Sequence, residues 1–311
     1  MAAAANKESI FESEQGLPAD NIIGIGTARA PGSCGDLVLS KKDRFSIPCS
    51  INRFVDATVT LYEGNGAHIY GPQNRRRALR AVRETLSYSN KSEFSARVHI
   101  DNDIPRGMAS SAASVVAAIG ATVKALGREG LSPAEVAFLA SKVGVKDAIM
   151  FPELTRLRFN RGELSCEELG PPPSIDVLAL VFWGKIGRRN NRSPSRDAID
   201  NALYFIRTGA VRDKPSLVGS GATMSTKAQQ YCDPETVRPV FSFAERIGAI
   251  GVTAPKGSVI GILLSKNSLP PTEALVKARD AFPIIKVGYC LKIIKGGVRF
   301  KEDDLGEDSP A

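Results

Sequence analysis

The stretch "DNDIPRGMASSAASVVAAIGATVKAL", residues 101–126, decides the fold. It opens with charge and a Pro-Arg-Gly turn. The segment from Ala112 to Leu126 that follows is mostly apolar, too long for an ordinary strand and too short to cross a membrane. At about 3.6 residues per turn it makes about four turns of buried helix. A helix N-terminus presents unpaired N–H groups and the positive end of its dipole, so a glycine-bearing turn that enters one can hold phosphate through its backbone. Gly107 permits close approach, and Ser110 and Ser111 offer hydroxyls to a phosphate or a hydrated Mg²⁺, or simply cap the helix. No lysine follows the glycine at P-loop spacing, and no dinucleotide fingerprint is present. On these residues alone, a close-packed helix with an ordinary cap stays open as the alternative.

Working outward, "NIIGIGTARAPGSCGDLVLS" (21–40) reads as strand, Gly-rich loop, strand. "SINRFVDATVTLYEG" (50–64) and "SEFSARVHIDND" (92–103) alternate as half-buried strands do. "NRRRALRAVRETLSYS" (74–89) has the apolar spacing of an amphipathic helix. In "SPAEVAFLASKVG" (132–144), Ser132 caps, Pro133 takes the first helical position and Glu135 completes a capping box. The triple proline "GPPPS" (170–174) marks a boundary between an N-terminal nucleotide-binding domain, 21–169, and a C-terminal domain, 174–300. Beyond it come a buried strand "IDVLALVFWG" (175–184), helices at 195–209 and 233–248, and a glycine-bearing loop leading into an apolar strand at 249–265. "AFPIIKVGYCLKIIKGGVRF" (281–300) reads as two strands around a turn. Residues 1–20 and the acidic 301–311 read as mobile tails. Strands and helices alternate in both halves, which makes the class mixed α/β or α+β.

The 311 residues carry a net charge of +8, which favours anionic partners. Aromatics are only 6%, too few to offer bases a stacking surface, so nucleic acid ranks last among them. The runs "QNRRRALRAVR" (73–83) and "RRNNRSPSR" (188–196) read as a solvated helix face and a mobile loop. Five scattered cysteines without a C-x-x-C pair fit a reducing cytoplasm, with Cys34 a small packing residue. Neither a signal peptide nor a membrane span is legible. His68 and His99 fall in strands and read as structural.

Three segments in order, "ARAPGSCGDLV" (28–38), "IPRGMASSAAS" (104–114) and "GVTAPKGSVIGILL" (251–264), resemble the three motifs of the small-molecule kinase superfamily of galactokinase, homoserine kinase and mevalonate kinase. "PGSCGDLV" (31–38), "VKDAIMFPEL" (145–154) and "GSGATMSTKAQQ" (219–230) are most similar to the L-threonine kinases of cobalamin biosynthesis. The resemblance implies a two-domain α+β fold, with an N-terminal half like ribosomal S5 domain 2 and a ferredoxin-like C-terminal half. It implies ATP-dependent phosphorylation of the hydroxyl of a small amino acid or related metabolite, L-threonine being the first candidate. Pro105, Arg106, Gly107, Met108, Ala109, Ser110, Ser111 and Ala112 would then hold ATP. Ser111 would face Mg²⁺ and, with Asp147, count as catalytic; Asp147 would act as a base or as a partner behind the metal. Arg29, Ser33, Asp36, Gly257 and Ser258 would line the acceptor side. Against the family pattern the phosphate loop lacks two residues between Gly107 and Met108, and Lys256 stands where a serine is usual. Two readings of Lys256 stay open, a surface lysine or a charge that offsets phosphate, and Arg29 with Asp36 has the alternative of a structural ion pair. A non-catalytic ligand-binding relative is the second functional reading, and a homodimer is one open assembly.

Overall fold

The computed structural model describes residues 21–40, 43–63, 68–105, 107–160, 163–184, 186, 195–228 and 234–300, so both expected tails and Arg106 lie outside the described residues. In chain order the elements are β1 (Ile22–Ser40), β2 (Phe45–Tyr62), β3 (Ile69–Tyr70), α1 (Arg76–Tyr88), β4 (Ser95–Asn102), α2 (Ser110–Ala125) and α3 (Pro133–Lys142). There follow β5 (Thr155–Asn160), β6 (Glu163–Glu168), β7 (Asp176–Phe182), α4 (Arg196–Val211), α5 (Pro215–Ala228) and α6 (Pro234–Arg246). The chain closes with β8 (Gly251–Val252), β9 (Val259–Leu264), α7 (Pro271–Ala281), β10 (Ile285–Lys292) and β11 (Arg299–Phe300).

The first sheet runs β11-β1-β2-β4-β3, with the β5–β6 hairpin attached to the start of β2. The opening stretch does form the helix its composition requires: α2 is buried on nearly every side, so its residues are Ala, Val, Ile, Ser and Gly rather than amphipathic. It lies directly on β1. A Cβ at Gly24 would meet the Ala125 carbonyl oxygen at 2.0 Å and one at Gly26 the Ala121 oxygen at 2.2 Å, so "IIGIG" is the bed of that helix. α3 starts with the expected capping box, in which the Ser132 hydroxyl accepts from the Glu135 N–H and the Glu135 carboxylate accepts from the Ser132 N–H.

The second sheet runs β10-β7-β9-β8, all neighbours antiparallel, with α6 and α7 on one face and α4 and α5 toward the first half. This strand path, with helices between β7 and β8 and between β9 and β10, is the ferredoxin-like arrangement. After Asp176 β7 is apolar because both of its faces are covered. Val177, Ala179 and Val181 join the core shared with α2 and the first sheet, while Leu178, Leu180 and Phe182 pack with Phe243 and Phe282. Among the described residues no helix is long and apolar enough to cross a membrane.

Two local readings change. β1 is one strand, not two: pairing with β2 continues through "APGSCGD" by register shifts at Pro31/Gly32 and Ser33/Asp36 instead of breaking. The two strands in 281–300 do not form a hairpin. β10 pairs β7 in the second sheet, and β11 crosses to pair β1 in the first, Ala28 opposite Phe300.

Candidate active site

At the β1 irregularity Asp36 stays opposite Pro48 of β2 and also bridges to Ala254. Between Ser33 and Asp36 the register slips, and the Asp36 N–H donates to the Ala254 carbonyl at 3.1 Å while the Ala254 N–H donates to the Asp36 carbonyl at 2.8 Å. Gly35 makes this crossing possible: its φ is +71°, and a Cβ there would stand 2.5 Å from both the Ala254 oxygen and Thr253 Oγ1. The sequence motif "PGSCGD" thereby clasps the loop 253–258 that leads into β9. Cys34 fills the space beneath; a Cβ at Gly261 would lie 3.0 Å from its Sγ, and burial pushes its thiol up to about 12. It is a packing residue, as its sequence context suggests.

The turn before α2 rests on the same strand. The Met108 N–H donates to the Pro105 carbonyl at 3.2 Å, and the Met108 carbonyl accepts from the Ser33 N–H at 3.1 Å. Gly107 has φ +100°, and a Cβ there would meet Val259 Cγ2 at 2.9 Å and the Lys256 carbonyl oxygen and Ser258 Oγ at 3.4 Å each, so the turn lies against the loop that leads into β9. Ala109 then takes a left-handed conformation, φ 58° and ψ 21°, as the residue preceding α2, and no side chain caps the helix. An alanine in that region costs about 1–2 kcal/mol, a strain placed at the spot where the turn enters the helix. Ser110 is half-buried and Ser111 exposed at the opening turn, while the buried Ser114 hydroxyl donates back to the Ser110 carbonyl at 2.7 Å. Ala112 is buried.

Asp147 arrives from the other side, on the loop after α3. That loop is held from behind by the chain leaving β10: the Gly297 N–H donates to the Ile149 carbonyl at 2.8 Å. Asp147 is 7% exposed, Asp36 4%, and between them lies Lys256, whose Nζ is 2.5 Å from Asp147 Oδ2 and 3.6 Å from Asp36 Oδ1. Lys256 is therefore not the solvated surface lysine that its type suggests. Burial works against its charge, but Asp147 and then Asp36 outweigh that and raise its pKa above the ordinary lysine value. Burial pushes the Asp36 carboxyl up to about 6, Lys256 opposing and Asp147 adding to the rise.

Ser33, Asp36, Gly107, Met108, Asp147, Gly257 and Ser258 thus belong to one neighbourhood at the seam of the two halves, and Ser110, Ser111 and Ala112 follow directly along α2. Arg29 does not pair Asp36. It is directed at Asp56 on β2, Nε to Oδ1 at 3.2 Å, and lies over the Phe54 ring at 4.8 Å, because its own register position is opposite Asp56. Three polar atoms in this neighbourhood, Ser33 Oγ, Asp36 Oδ1 and Asp147 Oδ1, are buried without a hydrogen-bond partner among the described residues. Buried oxygens left so are a sign of a ligand or water to come. Sequence reading left Lys256 open as a surface lysine or a charge that offsets phosphate, because no local signal brings it between two acids 109 or more residues away.

Mg²⁺ is held by one or two protein oxygens and the phosphates of its nucleotide rather than by a protein cage. The exposed Ser111 hydroxyl and the Asp147 carboxylate are oxygen donors of that kind, and among the described residues no cluster of three or more acids, histidines or cysteines could hold a metal alone. The uncapped start of α2 fits a phosphate.

Residues 75–151 match the family model for the GHMP kinases N terminal domain, a span that contains α1, α2, the turn before α2 and Asp147. Over that span the chain is similar to the N-terminal domain of the GHMP kinases. Over 310 aligned residues it is 24% identical to the L-threonine kinase of Salmonella typhimurium, covering 92% of this chain and 98% of that enzyme. Its fold superposes on homoserine kinase from Cytophaga hutchinsonii with a TM-score of 0.65 at 15% identity, covering 91% of this chain and 99% of that one. It also superposes on mevalonate-3-kinase from Thermoplasma acidophilum, solved with mevalonate 3-phosphate and ADP bound, with a TM-score of 0.59 at 14% identity and 90% and 100% coverage. The fold shared with these two structures therefore extends over both halves, the ferredoxin-like sheet included.

Proposed function

We propose that this protein is a small-molecule kinase that transfers the γ-phosphoryl group of ATP, with Mg²⁺, to the hydroxyl of a small amino acid or related metabolite, L-threonine being the first acceptor to test. The observation that carries the reading is the Asp36–Lys256–Asp147 cluster facing the Gly107 turn at an uncapped helix start. Phosphoryl transfer asks the protein for alignment and charge neutralisation more than for covalent chemistry. The backbone amides of the turn and the first turn of α2 hold the phosphates. Asp147 accepts the proton of the acceptor hydroxyl as its oxygen bonds to phosphorus and the bond to the bridging oxygen of ADP breaks. Lys256 orients that carboxylate, and Asp36 offers its Oδ1, which faces Lys256 Nζ at 3.6 Å but accepts no hydrogen bond among the described residues, to the acceptor's amino group.

The test is phosphorus NMR of the protein with Mg-ATP and, separately, L-threonine, L-serine, L-homoserine or no acceptor. A phosphomonoester signal with one acceptor, lost in Asp147→Asn, is expected. Lys256 occupying Asp147 Oδ2 favours one second reading, a relative that binds nucleotide without transferring phosphate. Nucleotide binding with unchanged ATP under every acceptor would replace the first reading with the second.

A further inference from the structure

Beside the start of α2 lies a second concavity of about 280 Å³, lined by Arg75, Arg76 and Arg77 on one side and by Ser111 and Ser114 on the other. Its volume suits part of a ligand rather than a whole one. No carboxylate lines it, and none of the three arginines enters an ion pair among the described residues. The run reads in sequence as a solvated helix face, yet its first three arginines stand in the opening turn of α1, Arg75 at the cap.

That placement is electrostatically wrong for a helix on its own account. Cations belong at the C-terminal end of the dipole and acids at the N-terminal end. α1 has no acid in its first turn and no side-chain cap, and neither has α2, whose N-terminus opens onto the same concavity. Two positive helix ends and three guanidinium groups therefore converge with nothing negative among them. A local rule broken this consistently marks a place whose missing partner is a ligand.

We propose that Arg76 and Arg77, with Arg75 behind them, form a guanidinium arm that binds the phosphoanhydride chain of the nucleotide from the side opposite the Gly107 turn. The arm supplies the contacts that the two absent loop residues cannot. Guanidinium donors suit the task because their planar fork engages two phosphate oxygens at once. The inference rests on the nucleotide reading only for which anion is bound; the anion site itself stands on the lining.

Calorimetric titration of the full chain with ADP, inorganic tripolyphosphate and adenosine tests it. In the wild type, ADP and tripolyphosphate compete for one site, and their binding weakens with added salt. In the double variant Arg76→Ala/Arg77→Ala both lose affinity by about tenfold or more, while adenosine is little changed. The Arg76→Lys/Arg77→Lys variant recovers part of the loss. Arg80→Ala, exposed on the same helix but outside the lining, changes nothing. Without ligand, the alanine double variant melts at or above the wild-type temperature, since the arginines oppose the helix dipole; a structural role would lower it. Unchanged ADP and tripolyphosphate affinity in the double variant, or a lowered melting temperature with affinity intact, overturns the proposal. If the wild type binds tripolyphosphate at the arginines but no nucleotide, the kinase reading fails and the anion site stands.

Discussion

Replacing Lys256 by Met tests the electrostatics of the cluster most directly. The ammonium lies 2.5 Å from one buried carboxylate and 3.6 Å from the other. Removing one partner of a buried ion pair typically costs about 3–5 kcal/mol, because an uncompensated charge stays behind. Lys256 is 32% exposed on its side chain, so we take the low end, about 3 kcal/mol, near pH 8. The pH dependence follows from Asp36. Its folded pKa is already raised from 3.8 to about 6, roughly two units or about 3 kcal/mol. A carboxyl raised on folding contributes stability that is complete below its unfolded pKa and is lost as pH rises through the folded one. Without the lysine, burial and Asp147 act unopposed and the folded pKa climbs further. The added destabilisation of Lys256→Met is thus largest at pH 8 and shrinks toward pH 5, where one carboxylate takes a proton. Urea unfolding at the two pH values reads it, with the midpoint at pH 8 falling by about 1 M or more. The double variant Lys256→Met/Asp147→Asn, which removes the facing charge, regains more than half of the loss at pH 8. An equal loss at pH 5 and pH 8 would trace the effect to packing, and no loss at either would refute the buried-pair argument.

Ala109→Gly relieves the left-handed alanine before α2 and raises stability by up to about 1 kcal/mol, the released strain exceeding the added chain entropy; a drop in the urea midpoint would contradict the strain. Thiol labelling of the native protein modifies the exposed Cys166 first and Cys290 more slowly, because burial of its sulfur raises its pKa. The buried Cys34 and Cys49 react only on unfolding, and early labelling of Cys34 by mass spectrometry would contradict its packing role.

The helical elements were legible where composition and capping agreed. The uniformly apolar run of α2 and the Ser132–Glu135 box of α3 are local signals that no tertiary contact had to override. α5 was not, because "PSLVGSGATMSTKA" carries two glycines whose purpose is contact: a Cβ at Gly219 would meet the Ile250 carbonyl oxygen at 2.3 Å and one at Gly221 the Ala202 oxygen at 2.7 Å. The glycines of β1 looked like a loop for the same reason, since helix bed and strand bulge share one composition. At the site, Asp36 and Asp147 were found by their motifs, whereas Lys256 needed the fold, because 109 residues separate it from Asp147. The alternative of an Arg29–Asp36 ion pair, open on nearness in sequence, gives way to Asp56, which strand register sets opposite Arg29.

The return of the chain after β10 bears on how the molecule can move. From the second sheet it runs back across the seam, receives Asp147's loop at Gly297 and ends as the edge strand beside β1. Together with the clasp between Asp36 and Ala254, it ties the halves at two points on either side of Lys256. The two halves therefore cannot be cut apart at the proline run without leaving β11, the edge strand of the first sheet, attached to the second half.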